Sequence, residues 1–133
     1  MSRSKKVFVA RLIPDSLFQR TSGPLWQPAA DIYRCPQGYK IKFDLAGVKP
    51  EDLEVLVGEN RIIVRGVRRD SVLTQGWSYQ QLEITYSRFE RVLQIPYDLS
   101  KAEIRVESID GWLLVHIDYA AQMLEEGGES PEE

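Results

Sequence analysis

Phe89-Glu90-Arg91-Val92-Leu93-Gln94-Ile95-Pro96 decides how this chain reads. Successive side chains of a strand point to opposite faces, so Phe89, Arg91, Leu93 and Ile95 share one face, and a guanidinium lies among three large apolar groups. The other register would leave Val92 as the one strong core residue among the even positions. The stretch is therefore expected to be a strand whose apolar face points inward or into an interface, with Arg91 in need of a partner. Glu51, Asp70 and Glu83 are all open to it, within the chain or across a dimer. On this reading Arg91→Lys disturbs stability or assembly, and Arg68→Lys, in a loop, does neither.

Outward from this stretch the same period recurs. Tyr39-Lys40-Ile41-Lys42-Phe43-Asp44-Leu45, Leu53-Glu54-Val55-Leu56-Val57 and Ala102-Glu103-Ile104-Arg105-Val106 alternate, and Arg61-Ile62-Ile63-Val64-Arg65 is a shorter β-branched run. Turn signals separate them at Pro36-Gln37-Gly38, residues 46–52, Gly58-Glu59-Asn60 and Ile109-Asp110-Gly111. Short strands at this spacing, with no long amphipathic helix between them, predict an all-β, antiparallel, immunoglobulin-like sandwich rather than a doubly wound sheet. Residues 1–25 show no sustained period, and residues 127–133 are acidic, Gly-rich and poor in apolar groups. The expected organisation is a flexible N-terminal segment (1–25), one sandwich domain (26–118) and an acidic C-terminal tail (119–133). Residues 68–86 read as a long loop in which Trp77, Tyr79, Leu82 and Ile84 are able to form a strand. A loop that long in a small sandwich usually has a function.

Composition removes several classes of activity. The 133 residues hold 17 Lys and Arg against 20 Asp and Glu, a formal charge of -3, which withdraws the general attraction that drives nucleic-acid binding. The charge is uneven. Arg3, Lys5, Lys6, Arg11 and Arg20 face only Asp15 near the start, whereas the chain from Asp118 onward has acids and no Lys or Arg, so the two ends are able to attract each other or a neighbour. Cys35 is the single cysteine, which excludes an intrachain disulfide and makes a reducing cytoplasm the simplest location. The apolar run Val7-Phe8-Val9-Ala10 stops at Arg11, too short for a signal peptide, and no run is long enough for a membrane span. With one His and one Cys the chain offers no metal-ligand cluster, no nucleophile with a base and no phosphate-cradling loop, so neither a cofactor nor catalysis is expected. His116 alternates with Trp112 and Leu114 and reads as a sheet-face residue.

Four motifs in order resemble the α-crystallin domain of the small heat-shock proteins. Trp26-Gln27-Pro28-Ala29-Ala30-Asp31-Ile32-Tyr33 is similar to the family's W-x-P-x-x-D-I-Y entry, and Asp44-Leu45-Ala46-Gly47-Val48-Lys49-Pro50-Glu51-Asp52-Leu53 to D-L-P-G-V-x-P-E-D-I. Phe89-x-Arg91-x-Leu93-x-Ile95-Pro96 resembles F-x-R-x-F-x-L-P, and Asp110-Gly111-Trp112-Leu113 resembles the N-G-V-L turn. The departures are Ala46 for Pro, Ser87 for Gly, Val106 for Ala and Asp118-Tyr119 for Pro-Lys. The tail after Ile117 also lacks the I-x-I or I-x-V motif by which family members build large shells.

The resemblance implies an ATP-independent holdase that binds partly unfolded client proteins. It implies a homodimer formed by strand exchange, in which residues 77–84 pair with the edge near residues 32–35 of a second subunit. The implied dimer interface is Ile32, Tyr33, Cys35, Trp77, Tyr79, Leu82, Ile84 and Arg91. It places a groove at Leu53, Val55, Ile104 and Val106, residues that read equally well as ordinary core. N-terminal client contacts are expected at Phe8, Leu12, Leu17 and Phe18, and Val7-Phe8-Val9 has the apolar-x-apolar spacing to enter a neighbour's groove. Without the tail motif, dimers or small oligomers are expected. The alternative is a monomeric co-chaperone or adaptor domain of the same sandwich class that binds one folded partner, with residues 77–84 folded back on their own domain.

Overall fold

Among the described residues the chain forms nine strands. The computed structural model describes the backbone of residues 5–8 and, with side chains, residues 10–17 and 25–120. The strands are β1 (Lys5–Phe8), β2 (Arg11–Leu12), β3 (Ala30–Cys35), β4 (Gly38–Asp44), β5 (Leu53–Val57), β6 (Arg61–Val67), β7 (Arg88–Gln94), β8 (Ala102–Ile109) and β9 (Trp112–Tyr119). They form a five-stranded sheet of order β1-β8-β9-β4-β3 and a four-stranded sheet of order β2-β5-β6-β7. This is the all-β sandwich expected. Its pairings are antiparallel apart from the two-residue parallel contact of β2 with β5. The β8–β9 hairpin turns at Asp110 and Gly111, whose φ values of 54° and 84° suit the primed turn that matches strand twist.

The core is written by the period. On β4 Ile41 and Phe43, on β9 Leu113, Val115 and Ile117, and on β8 Val106 face Val55 and Val57 of β5, Ile62 and Val64 of β6, and Phe89 and Leu93 of β7. Each such side chain, fully buried, contributes roughly 1.5–3 kcal/mol before entropy is subtracted, so the two inner faces carry the stability. The chain before β5 passes so close to β6 that a Cβ at Gly66 would lie 2.0 Å from the carbonyl oxygen of Asp52. Glycine alone fits there.

Residues 1–25 have no period of their own, yet they supply two strands. β1 lies antiparallel along β8, with Lys5 opposite Ile109 and Phe8 opposite Val106. β2 lies along β5, with Arg11 opposite Leu56, and Ile13 N–H donates to the Val57 carbonyl at 2.9 Å. Between the two, Ala10 packs against the core. The physical cause is pairing rather than pattern, because β8 and β5 would otherwise present open ladders that attract any strand. Ion pairs secure the second contact, Arg11 to Glu54 at 2.7 Å and Arg61 to Asp15 at 3.8 Å. Phe18, the tail from residue 121 and the side chain of Phe8 lie outside what the structure describes.

Candidate functional site: an apolar arm and an open edge

The β6–β7 ladder ends at the pair Val67 and Arg88 and is extended one step, where Arg68 N–H donates to the Ser87 carbonyl at 3.0 Å. Beyond it the chain forms an arm. The strand for which residues 77–84 are suited does not form, and among the described residues they pair with no strand. Val72, Leu73, Trp77, Tyr79, Leu82 and Ile84 are all exposed, Trp77 by 61%, and this density of large apolar groups in water marks an interaction surface.

Local polar bonds give the arm its shape. Asp70 Oδ1 accepts from the N–H groups of Val72 and Leu73 at 3.0 and 3.4 Å, and Oδ2 accepts from the Tyr79 hydroxyl at 2.7 Å. The Tyr79 hydrogen bond, followed by the backbone ones, holds the Asp70 carboxyl below its ordinary pKa, and the same bond pushes the Tyr79 phenol up. Tyr79 is thus fastened to the start of the arm, while Leu82, Ile84 and Tyr86 follow at alternate positions with Glu83 and Thr85 between them. Period two places those three on one face if the segment is extended.

The complementary feature is β3, the edge of the five-stranded sheet. Ile32 and Tyr33 are about half exposed, and Cys35 is half-buried where the strand ends. An unpaired edge accepts a strand through main-chain hydrogen bonds, with pockets for alternate side chains. Beside it Lys42 extends its ammonium over Trp112, 4.6 Å from the ring centroid, and within 3.5 Å of Asp31.

Arg91 faces as expected. Phe89, Leu93 and Ile95 on its side of β7 are buried, and Arg91 itself is half-buried opposite Val64. Its partner within the chain is a backbone carbonyl, that of Pro28, which accepts from Nη1 at 2.9 Å. Among the described residues no ion pair joins it to Glu51, Asp70 or Glu83. This contact brings two separate motifs together, because Trp26 also bridges to Phe89 and stacks on it edge to face at 5.7 Å. On the opposite face of β7 Glu90 is buried as well, 3.9 Å from Arg65, which the reading of the even positions as weak did not anticipate.

Arg68 differs from expectation. It is half-buried rather than a freely solvated loop residue. Its Nε donates to the Thr85 carbonyl at 2.8 Å, Nη1 donates to the Ala46 carbonyl at 3.3 Å, and its guanidinium lies 4.0 Å from the centroid of the Trp26 ring.

The four groove residues divide. Val55 and Val106 lie in the shared core, at 3% and 0% exposure, whereas Leu53 and Ile104 are half-buried at its margin. The edges beside them are those on which β1 and β2 lie. Leu12 and Leu17 are exposed. His116 is a buried residue on the outer face of the five-stranded sheet, between Lys40 Nζ at 3.1 Å from Nδ1 and Glu107 Oε1 at 3.0 Å from Nε2. A Lys ammonium only donates, so Nδ1 accepts and Nε2–H donates to Glu107.

The profile of the Hsp20/alpha crystallin family matches residues 31–127, which takes in the sandwich from β3 to β9 and the arm. The chain belongs to that family. Membership implies a chaperone role. This Hsp20-family chain is 27% identical over 106 residues to a 17.7 kDa class II heat shock protein of Arabidopsis thaliana, covering 78% of this chain and 68% of the relative. It is 26% identical over 94 residues to spore protein SP21 of Stigmatella aurantiaca, covering 71% and 56%. A small heat-shock protein from Xylella fastidiosa superposes with a TM-score of 0.61 at 26% identity, covering 74% of this chain and 91% of that one. The hspA structure from Xanthomonas axonopodis has the same fold, with a TM-score of 0.60 over 74% and 98%. The family match begins at Asp31, so β1 and β2 of this Hsp20-family chain lie before it.

Proposed function

We propose that the protein is an ATP-independent holdase, a strand-exchanged homodimer that captures partly unfolded proteins without refolding them. The observation that carries this reading is the arm, with six large apolar side chains in water on a domain whose own core is already closed. Strand exchange would pair residues 80–86 of one subunit with β3 of the other, covering Leu82 and Ile84 beside Ile32 and Tyr33. Arg91 and Cys35 would lie near that seam. Capture then works by mass action: the apolar segments that unfolding exposes are bound, and the free concentration able to aggregate falls.

The client-facing residues of this reading are Leu12, Leu17, Phe8 and Phe18 of the N-terminal segment, together with the margin of the sandwich at Leu53 and Ile104. The remaining groove residues, Val55 and Val106, would act as its floor. Dimers or small oligomers are the assembly this reading favours, since residues 119–133 hold no I-x-I motif. The single cysteine favours a cytoplasmic setting. Light scattering of the purified protein, combined with suppression of aggregation of an unrelated heat-labile client, tests the proposal. A dimer that suppresses aggregation at near-stoichiometric ratio without nucleotide is the expected result. A monomer that binds one folded partner and leaves such a client to aggregate would replace the holdase with an adaptor.

A further inference from the structure

The Arg68 guanidinium links the returning limb of the arm to the body of the domain. Its Nε holds the Thr85 carbonyl, on the limb that returns to β7; Nη1 holds the Ala46 carbonyl, in the loop that leads to β5; and its plane rests on Trp26. Trp26 in turn is tied to β7 from both sides, donating its N–H to the Arg88 carbonyl at 3.0 Å and accepting from the Glu90 N–H at 3.2 Å. The support under Arg68 is thus an extension of the sheet. A planar fork on a ring fixes direction as well as distance, which an ammonium on a free stem does not. We infer that Arg68 is a positioning residue for strand exchange, fixing the direction in which residues 70–86 leave the sandwich toward a second copy of the chain. The inference rests on the exchange reading proposed above.

The Arg68 guanidinium has no hydrogen bond to a core side chain, and the ring it rests on lies at the margin of the core. Its partners are two loop carbonyls and a half-buried ring, so loss of its fork frees the arm without opening the sandwich. A freed arm samples many directions, and only a fraction of them meets the partner edge, which lowers the apparent affinity of the dimer by that fraction. The test uses the full-length chain and the variants Arg68→Lys and Arg68→Met. Sedimentation velocity over a dilution series gives the dimer dissociation constant. Urea unfolding of the dissociated chain gives the stability of the sandwich, and hydrogen exchange gives protection of the amides of residues 80–87.

The expected result is a rise of about a hundredfold in the dissociation constant for both variants, about tenfold for each of the two arms, the scale of one charged hydrogen bond per subunit. Exchange at residues 80–87 should quicken, with the urea midpoint unchanged. A native dimer that neither variant weakens would overturn the role of Arg68 alone. A urea midpoint that falls in step with dimer affinity would overturn it also, because Arg68 would then be ordinary packing. A native chain that stays monomeric at every concentration would remove the exchange reading, and this inference with it.

Discussion

Replacing Leu82 and Ile84 together by Ala is the most direct challenge to the proposed dimer. The two side chains are 54% and 58% exposed in the single chain. Fully burying a side chain of this kind is worth roughly 1.5–3 kcal/mol, so covering the half still in water is worth about 1 kcal/mol for each. A two-fold dimer covers both residues in both subunits, and the sum is about 4 kcal/mol, or close to a thousandfold in the dissociation constant. The stability of the isolated sandwich should hardly change, since neither residue packs in its core. Sedimentation velocity of the double variant against the native chain, from nanomolar to high micromolar, reads the affinity, and circular dichroism reads the fold. A shift of less than tenfold would show that the arm does not bury these residues between subunits. Loss of the folded spectrum would show that they support their own domain.

Three further outcomes follow from particular contacts. Arg91→Ala should lower the unfolding free energy in urea by about 1.5–3 kcal/mol, the scale of a hydrogen bond from a charged donor, because its partner is the Pro28 carbonyl; a loss of roughly 5 kcal/mol would point instead to a carboxylate. Gly66→Ala drives a methyl group into the backbone of Asp52 and should cost about 1–3 kcal/mol or more, and an unchanged melting temperature would refute that close approach. Asp98 accepts from the backbone and side chain of Ser100 at 2.9 and 2.8 Å, the backbone bond first holding its pKa below the ordinary 3.8. Because the folded value is the lower one, this stabilisation is fully present above the unfolded value and is lost as pH falls through the folded value. Asp98→Asn should therefore flatten the acid side of a stability profile below about pH 4, and equal slopes for both proteins would reject the contact.

The strands were legible wherever one side of the sheet meets water and the other does not. Ile41 and Phe43 alternate with Lys40 and Lys42 because each strand records its two environments at alternate positions, and the same rule oriented Arg91 correctly. The partners of Arg91 and Arg68 were not legible for a different reason. Pro28, Thr85 and Ala46 accept through backbone carbonyls, and every residue has one, so no letter of the sequence marks an acceptor. For Arg91 a carboxylate was the natural partner to seek, and within the chain the acceptor is the Pro28 carbonyl instead. β1 and β2 were hidden likewise, since they form on ladders offered by β8 and β5 and residues 1–25 have no alternation to announce them. The arm was half legible: its apolar residues stood out in the sequence, but their exposure depends on the absence of a paired edge in their own chain.

The placement of β1 and β2 on different sheets sets the valence of the molecule as a building block. A sandwich made of β3 to β9 alone would carry open ladders at β8 and β5 as well as at β3, and a unit with so many sticky sides belongs to a network. Residues 5–8 and 11–12 cover those two ladders with the chain's own backbone. On the exchange reading β3 is the acceptor and the arm the donor, while the other sheet edges are the short β1 and β2, and β7. A unit of that kind, joined by two-fold symmetry, consumes both functions in a single closure. On that reading the N-terminal strands would act as chain stoppers: they replace the ladders of β8 and β5 by edges of only four and two residues, and so favour a pair as the end of growth.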